Sequence, residues 1–175
     1  MLIRSYVVDG VPRPPRTLAD VHILPGVVEA CATLRRHGLP LIVVTNQPDV
    51  ARGTLRRDEV DAVNDLLREA LPLTEVVVCP HDDPDRCGCR KPAPGMIVDA
   101  AARHRISLSD SVMVGDRWRD IAAGRAAGCR TIFIDQGYAE SVSEKPDLVA
   151  GSLSEAVPAI LAMTGREGAE GEAGT

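Results

Sequence analysis

SVMVGDRWRDIAAGRAAGCRTIFID, residues 111–135, decides the fold. An apolar run, SVMVG (111–115), is followed directly by Asp116. A small-residue helical stretch, DIAAGRAAG, then closes on Gly128, and a β-branched run, RTIFID (130–135), follows. Strand, helix and strand in this order read as a βαβ unit, whose two strands must be parallel. The alternation continues outward. LPLIVVT (39–45), TEVVVC (74–79) and DLVA (147–150) are further short strands. Their apolar residues are continuous rather than alternating, as expected of strands buried on both faces of a parallel sheet. Between them, GVVEACATLRRHG repeats Val27, Cys31 and Leu34 at helical spacing, with Gly38 placed to cap the end. Val60, Val63 and Leu67 share one face of a helix over 58–71, and another helix starts near Pro94-Gly95. In SLSEAVPAILAM, Ser152 and Glu155 have capping-box spacing, and Pro158 predicts a bend. The expectation is an α/β protein with a Rossmann-like, doubly wound parallel sheet. It should form one domain over 1–163, and the small, acidic TGREGAEGEAGT (164–175) reads as a disordered tail.

The bulk composition narrows the function. The chain has 175 residues, 45% of them hydrophobic but only 2% aromatic, so Val, Leu, Ile and Ala must build the core. A net charge of −5 argues against a nucleic-acid surface, which needs a basic patch. No apolar run reaches the ~18 residues of a membrane span, so a cytoplasmic protein is expected. Five cysteines cannot all pair, and Cys79, Cys87 and Cys89 cluster in a way that points to metal rather than bridges. Cys31 and Cys129 lie in apolar contexts and read as core.

In a doubly wound sheet, ligands bind beyond the carboxyl ends of the strands, and three such ends carry polar residues. Thr45, Asn46 and Gln47 follow one strand. Their hydroxyl and amides suit phosphate oxygens, or else simply cap a turn. Asp116 and Asp120 flank Arg117 after another. A carboxylate there suits Mg²⁺, although Asp is also a favoured helix N-cap. In CPHDDPDRCGCRKP, Cys79-x-His81 and Cys87-x-Cys89 supply three thiolates and one imidazole, the donors of a closed tetrahedral zinc site. Without His81 a Cys₃ cluster would remain. The loop delivers Arg90 and Lys91 directly after its last cysteine, either as cations facing the strand ends or as a solvated pair.

Taken together, TNQPDVARG, the Cys-x-His…Cys-x-Cys loop, CRKPAPGM and MVGDRWRD occur in the order found in the haloacid dehalogenase (HAD) superfamily. The chain most resembles the small-capped branch that contains the heptose 1,7-bisphosphate and histidinol-phosphate phosphatases. The match runs from about Pro25-Gly26 to Tyr138. The resemblance implies Mg²⁺-dependent hydrolysis of a small phosphorylated metabolite through an aspartyl-phosphate, by a monomer with a minimal cap and a structural Zn²⁺. It implies that Thr45 donates to the transferring phosphoryl group beside Asn46 and Gln47, and that Lys91 neutralises its oxygens. Arg90 would recognise substrate, Asp116 would bind Mg²⁺ with Arg117 adjacent, and Cys79, His81, Cys87 and Cys89 would hold Zn²⁺.

The family's first motif, Asp-x-Asp-Gly ending a strand, carries the nucleophile and the general acid–base. SYVVDGVPRPP (5–15) admits two alignments to it. In one, YVVDGV is that strand, with Asp9 as acid–base and Val7 where the nucleophile should be. The product would be an inactive phosphate-binding protein. In the other, DGVPRPPRTLADVHILPGV matches a later, extended stretch of the relatives, and the motif lies ahead of Met1. Arg4, Ser5 and the Pro-rich run favour the second. Asp9 then belongs to a loop near the substrate entrance. Family members place the motif strand between those carrying Thr45 and Asp116, so without it two buried strands would face an empty slot.

Overall fold

The β-branched runs form the expected strands, all parallel, but they do not close into one sheet. The computed structural model describes residues 1–8, 11–13, 15, 17–138 and 144–167. β3 (Ile42–Asn46) pairs in parallel with β4 (Glu75–Cys79), with Thr45 opposite Val78. Separately, β5 (Val112–Gly115) pairs with β6 (Arg130–Ile134), which pairs with β7 (Leu148–Ala150), again in parallel. The helices are α1 (Val27–Arg36), α2 (Pro48–Ala51), α3 (Arg57–Ala70), α4 (Gly95–His104), α5 (Trp118–Ala127) and α6 (Leu153–Met163). Gly38 and Gly128 adopt φ of +76° and +85° after α1 and α5, the left-handed caps expected of them. The short α2 is an addition to the sequence reading; Pro48 at its first turn and the Asp49 carbonyl, which accepts from Thr54 and Leu55, hold it.

Val27, Cys31 and Leu34 of α1 meet Ile132 and Ile134 of β6 and Ala156 and Ile160 of α6 in the core. Gly124 lets α5 lie close on the sheet, because a Cβ there would run into Met113 and Thr131. Helix α6 continues past Pro158 without a break. Only half of its expected capping box forms. The Ser152 hydroxyl accepts from the Glu155 N–H, but the Glu155 carboxylate accepts from Gly151, one residue earlier than the motif requires. The start of the expected tail is tied down. The Thr164 hydroxyl donates to the Ile160 carbonyl and the Arg166 N–H to Leu161, while 168–175 lie outside the described residues.

Between β3 and β5 lies a cavity of about 700 Å³, lined by Ile42–Thr45 on one side and Val112–Gly115 on the other. Protein interiors hold few voids larger than one water, which takes ~30 Å³, so this is a slot in the sheet. It corrects one expectation: β3 is only half-buried along its whole length, because the slot leaves one edge open. The N-terminal stretch does not fill it. β1 (Tyr6–Val8) pairs antiparallel with β2 (Val11–Arg13) in a separate hairpin, so YVV is no strand of the parallel sheet. Asp9 and Gly10 lie outside the described residues.

Candidate active site and metal centre

Three strand ends converge at the carboxyl end of the slot, which Thr45, Gln47, Lys91, Asp116 and Asp120 line together. The Thr45 hydroxyl accepts from the Gln47 side-chain amide at 3.3 Å. Asn46 is spent differently. Its amide donates to the Lys91 carbonyl at 2.9 Å and accepts the Lys91 N–H at 3.0 Å, so it fixes the backbone that carries the lysine. Lys91 is 8% exposed, and its ammonium donates to the Val44 carbonyl at 2.6 Å and pairs with Asp120 Oδ1 at 2.6 Å. It thus reaches across the slot from the β3 edge to the start of α5.

Asp120 has a partner, Lys91, that the sequence did not reveal. It is buried, and its other oxygen accepts the Arg117 N–H at 3.2 Å, capping α5. Gly115 makes this approach possible, since a Cβ there would fall inside the Asp120 side chain. Gly115→Ala is therefore expected to cost ~1–3 kcal/mol by overpacking and to dislodge Asp120 from Lys91. The midpoint of urea unfolding checks this, and an unchanged midpoint would refute it.

Asp116 follows Gly115 directly. Its carboxylate receives the Met1 α-ammonium at 2.9 Å and the Tyr138 hydroxyl at 3.4 Å. Burial first, and the Asp116 charge with it, raise the Tyr138 phenol above its ordinary pKa against an opposing hydrogen bond from Ser5. The Arg117 guanidinium lies 6.0 Å from the Tyr138 ring centre. Tyr138 sits just past the left-handed Gly137, and no spacing in the sequence tied it to Asp116.

Arg90 points away from the slot's other groups. It donates to Asp83 at 2.7 Å and to the His81 carbonyl at 3.2 Å, and lies 3.6 Å from Asp82. Arg119, stacked 4.8 Å over Trp118, also reaches Asp83 at 3.2 Å and the Lys91 carbonyl at 3.3 Å. Arg52 pairs with Asp82 at 2.6 Å. Two acidic residues of the cysteine loop therefore collect three arginines and lock the loop to α2 and α5.

The four loop donors lie within 4.8 Å of one another. Cys79 is 3.7 Å from Cys87 and 3.2 Å from Cys89, Cys87 is 3.3 Å from Cys89, and His81 Nδ1 is 3.6 and 3.3 Å from Cys79 and Cys89. A tetrahedron with metal–sulfur bonds of ~2.3 Å has sulfur–sulfur edges of ~3.8 Å, so the donor set fits a small divalent ion. Burial, then the hydrogen bond with Cys89, push the Cys79 thiol up to about 12. At Cys87, burial acts upward but is outweighed by hydrogen bonds from Cys89, the Arg90 main chain and Cys79, which bring that thiol down to about 7. Cys31 and Cys129 are buried away from this cluster, as expected, and burial raises Cys31 to about 11.

Comparison with known proteins gives the same picture. A family profile described as HAD-hydrolase-like matches residues 88–156. The D-glycero-beta-D-manno-heptose-1,7-bisphosphate 7-phosphatase of Bordetella bronchiseptica is 33% identical over 134 residues, covering 74% of this chain and 75% of that one. The D-glycero-D-manno-heptose-1,7-bisphosphate 7-phosphatase of Thermosynechococcus vestitus is 34% identical over 163 residues, covering 80% and 83%. The crystal structure of the B. bronchiseptica D,D-heptose 1,7-bisphosphate phosphatase with magnesium and phosphate superposes with a TM-score of 0.77 at 26% identity, over 93% of this chain and 94% of that one.

Proposed function

The chain belongs to the HAD-like hydrolases, on the branch of the heptose 1,7-bisphosphate phosphatases, and from that premise we propose that it serves hydrolysis of a phosphate monoester on a small phosphorylated sugar. The observation that carries this is the convergence of a hydroxyl, a buried ammonium and two carboxylates at the carboxyl end of one slot. Thr45 donates its hydroxyl to a phosphoryl oxygen, with Gln47 fixing its direction. The Lys91 ammonium faces the charge that spreads over the equatorial oxygens, and Asn46 holds its main chain in place. Asp116 is the carboxylate for Mg²⁺, which when bound would neutralise phosphate charge. Arg117 and Tyr138 border it. Arg90 would read substrate only after leaving Asp83, so its first task is holding the loop.

Cys79, His81, Cys87 and Cys89 are assigned to a structural Zn²⁺: four protein donors leave no open position for substrate. The protein is assigned to the cytoplasm as a monomer. Five free cysteines fit a reducing compartment, and no helix among the described residues is long and apolar enough to cross a membrane.

An aspartyl-phosphate route needs an attacking carboxylate. Asp116 and Asp120 are already engaged, and Val7 stands in an antiparallel hairpin. Among the described residues no third carboxylate lines the carboxyl end of the slot. The test compares the 175-residue chain with one extended ahead of Met1 by an apolar strand ending in Asp-x-Asp-Gly. Both are assayed with Mg²⁺ on heptose 1,7-bisphosphate and on histidinol phosphate. Turnover by the extended chain alone, abolished by Thr45→Ala, is expected. No turnover from either, with phosphate still bound, would leave an inactive binding protein. Preference for histidinol phosphate would reassign the substrate.

A further inference from the structure

The sulfur cluster that closes the loop has two sulfurs within reach of solvent and a third out of reach. Cys79 is fully buried at the end of β4, whereas Cys87 and Cys89 are half-buried. The flanks of these two differ as well. Arg86 and Gly88, on either side of Cys87, are exposed, and a Cβ at Gly88 would meet nothing within 4 Å. Cys89 is followed by the half-buried Arg90. Cys87 is therefore the sulfur that a small solute meets first.

The two accessible sulfurs also suit a bond to each other. Cys87 Sγ and Cys89 Sγ are 3.3 Å apart. Residues two positions apart are separated by at most ~7.6 Å between Cα atoms, and the bend at Gly88 shortens this toward the ~4.4–6.8 Å of disulfides. The loop has anchors besides its cysteines. Asp82 takes Arg52, just past α2, at 2.6 and 2.8 Å, and Asp83 takes Arg119 of α5 at 3.2 Å. The Gly95 N–H at the start of α4 donates to the Gly88 carbonyl at 3.0 Å. These contacts keep the donors near one another when a metal leaves, so the site can be rebuilt.

We propose that Cys87 and Cys89 form a reversible oxidation site, at which hydrogen peroxide makes a disulfide and the loop releases its metal. The Cys87 thiolate attacks one peroxide oxygen, the O–O bond breaks, and the departing hydroxide takes a proton to become water. The Cys89 thiolate then attacks the sulfur of the Cys87 sulfenic acid. The S–O bond breaks, and the second hydroxide also leaves as water. Two thiolates have given two electrons to the peroxide, and one disulfide has formed. Cys79 and His81 remain, half of a donor set that was closed. The constraint ahead of Lys91 goes with the metal, so oxidation reaches the hydrolytic site through the main chain. A disulfide on an open loop is readily reduced by thiols, and reduction restores the donors. This oxidation site rests on the Zn²⁺ assignment above and on no particular substrate.

The test titrates the reduced, Zn²⁺-loaded chain with hydrogen peroxide. A colorimetric chelator follows the released metal, alkylation counts the free thiols, and mass spectrometry of the peptides locates the disulfide. Free thiols are expected to fall from five to three as one zinc leaves each chain. Cys31, Cys79 and Cys129 should stay open to alkylation in the unfolded product, and a thiol reductant with fresh Zn²⁺ should restore full metal content. Cys129→Ser should release zinc over the same range of peroxide. Zinc retained while Cys87 and Cys89 are oxidised overturns the proposal. So does a disulfide that includes Cys79, or oxidation of Cys87 to sulfinic acid with no disulfide formed. A reduced chain that takes up no zinc refutes the metal assignment and this site together, before any oxidant is added. None of these readouts uses turnover, so an extended chain that proves inactive sinks the hydrolase reading alone.

Discussion

Cys79→Ser is expected to lose the bound metal and lower the thermal midpoint by about 8–16 °C. Cys79 ends β4 fully buried, and its sulfur, like that of Cys89, touches the other three donors. A serine hydroxyl is a far weaker zinc ligand than a thiolate, and it would leave the other two cysteines and the histidine around a site they cannot close. Loss of a structural metal belongs to the small class of changes costing more than ~4 kcal/mol, and 1 kcal/mol moves the midpoint of a domain this size by ~2–4 °C. The consequence reaches the site, because the loop carries Lys91 two residues after Cys89. The ligands bind as thiolates and neutral imidazole, so protons compete with zinc and the metal's contribution should weaken as pH falls. Zinc content by atomic absorption, together with the melting curve, checks this. Cys129→Ser should keep full zinc content, and equal metal in the Cys79 variant would refute the site.

Lys91→Met is expected to have two separable effects. The Lys91 and Asp120 side chains are about nine-tenths buried, and removing the cation leaves the Asp120 carboxylate uncompensated. Breaking a buried pair in this way costs ~3–5 kcal/mol. In an extended, active chain, losing a preorganised donor to the phosphoryl oxygens should also lower kcat/KM by ~10²–10³. Pairing it with Asp120→Asn separates the two. Stability should largely return, since no isolated charge remains buried, while turnover should stay low. Recovery of turnover in the double variant would show that Lys91 only balances Asp120.

Much of this was written in local pattern. The βαβ unit at 111–135 follows from two apolar runs around a glycine-capped helix, and the metal donors from the spacing of Cys79, His81, Cys87 and Cys89. What the sequence hid depends on tertiary contact. Asp120 carries an ordinary helix-start signature, and only folding brings it to Lys91, 29 positions earlier. Asn46 looks like a phosphate ligand until its amide is seen on the Lys91 backbone. Arg90 and Arg119 are an unremarkable pair of cations in a loop and a helix until Asp83 collects both. YVVDG has the composition of a buried strand, but its partner is the Val11–Arg13 segment, and strand composition does not specify which edge will be chosen.

The contact between Met1 and Asp116 has a practical side. A free α-amine carries a positive charge; the same nitrogen inside a peptide bond, or under a formyl or acetyl group, carries none. Any affinity tag placed at the amino terminus therefore edits the electrostatics of Asp116 directly, removing the counter-ion now held there at 2.9 Å. A carboxyl-terminal tag leaves it untouched. Two preparations of the same 175 residues, differing only in the end that was tagged, should bind divalent cations differently.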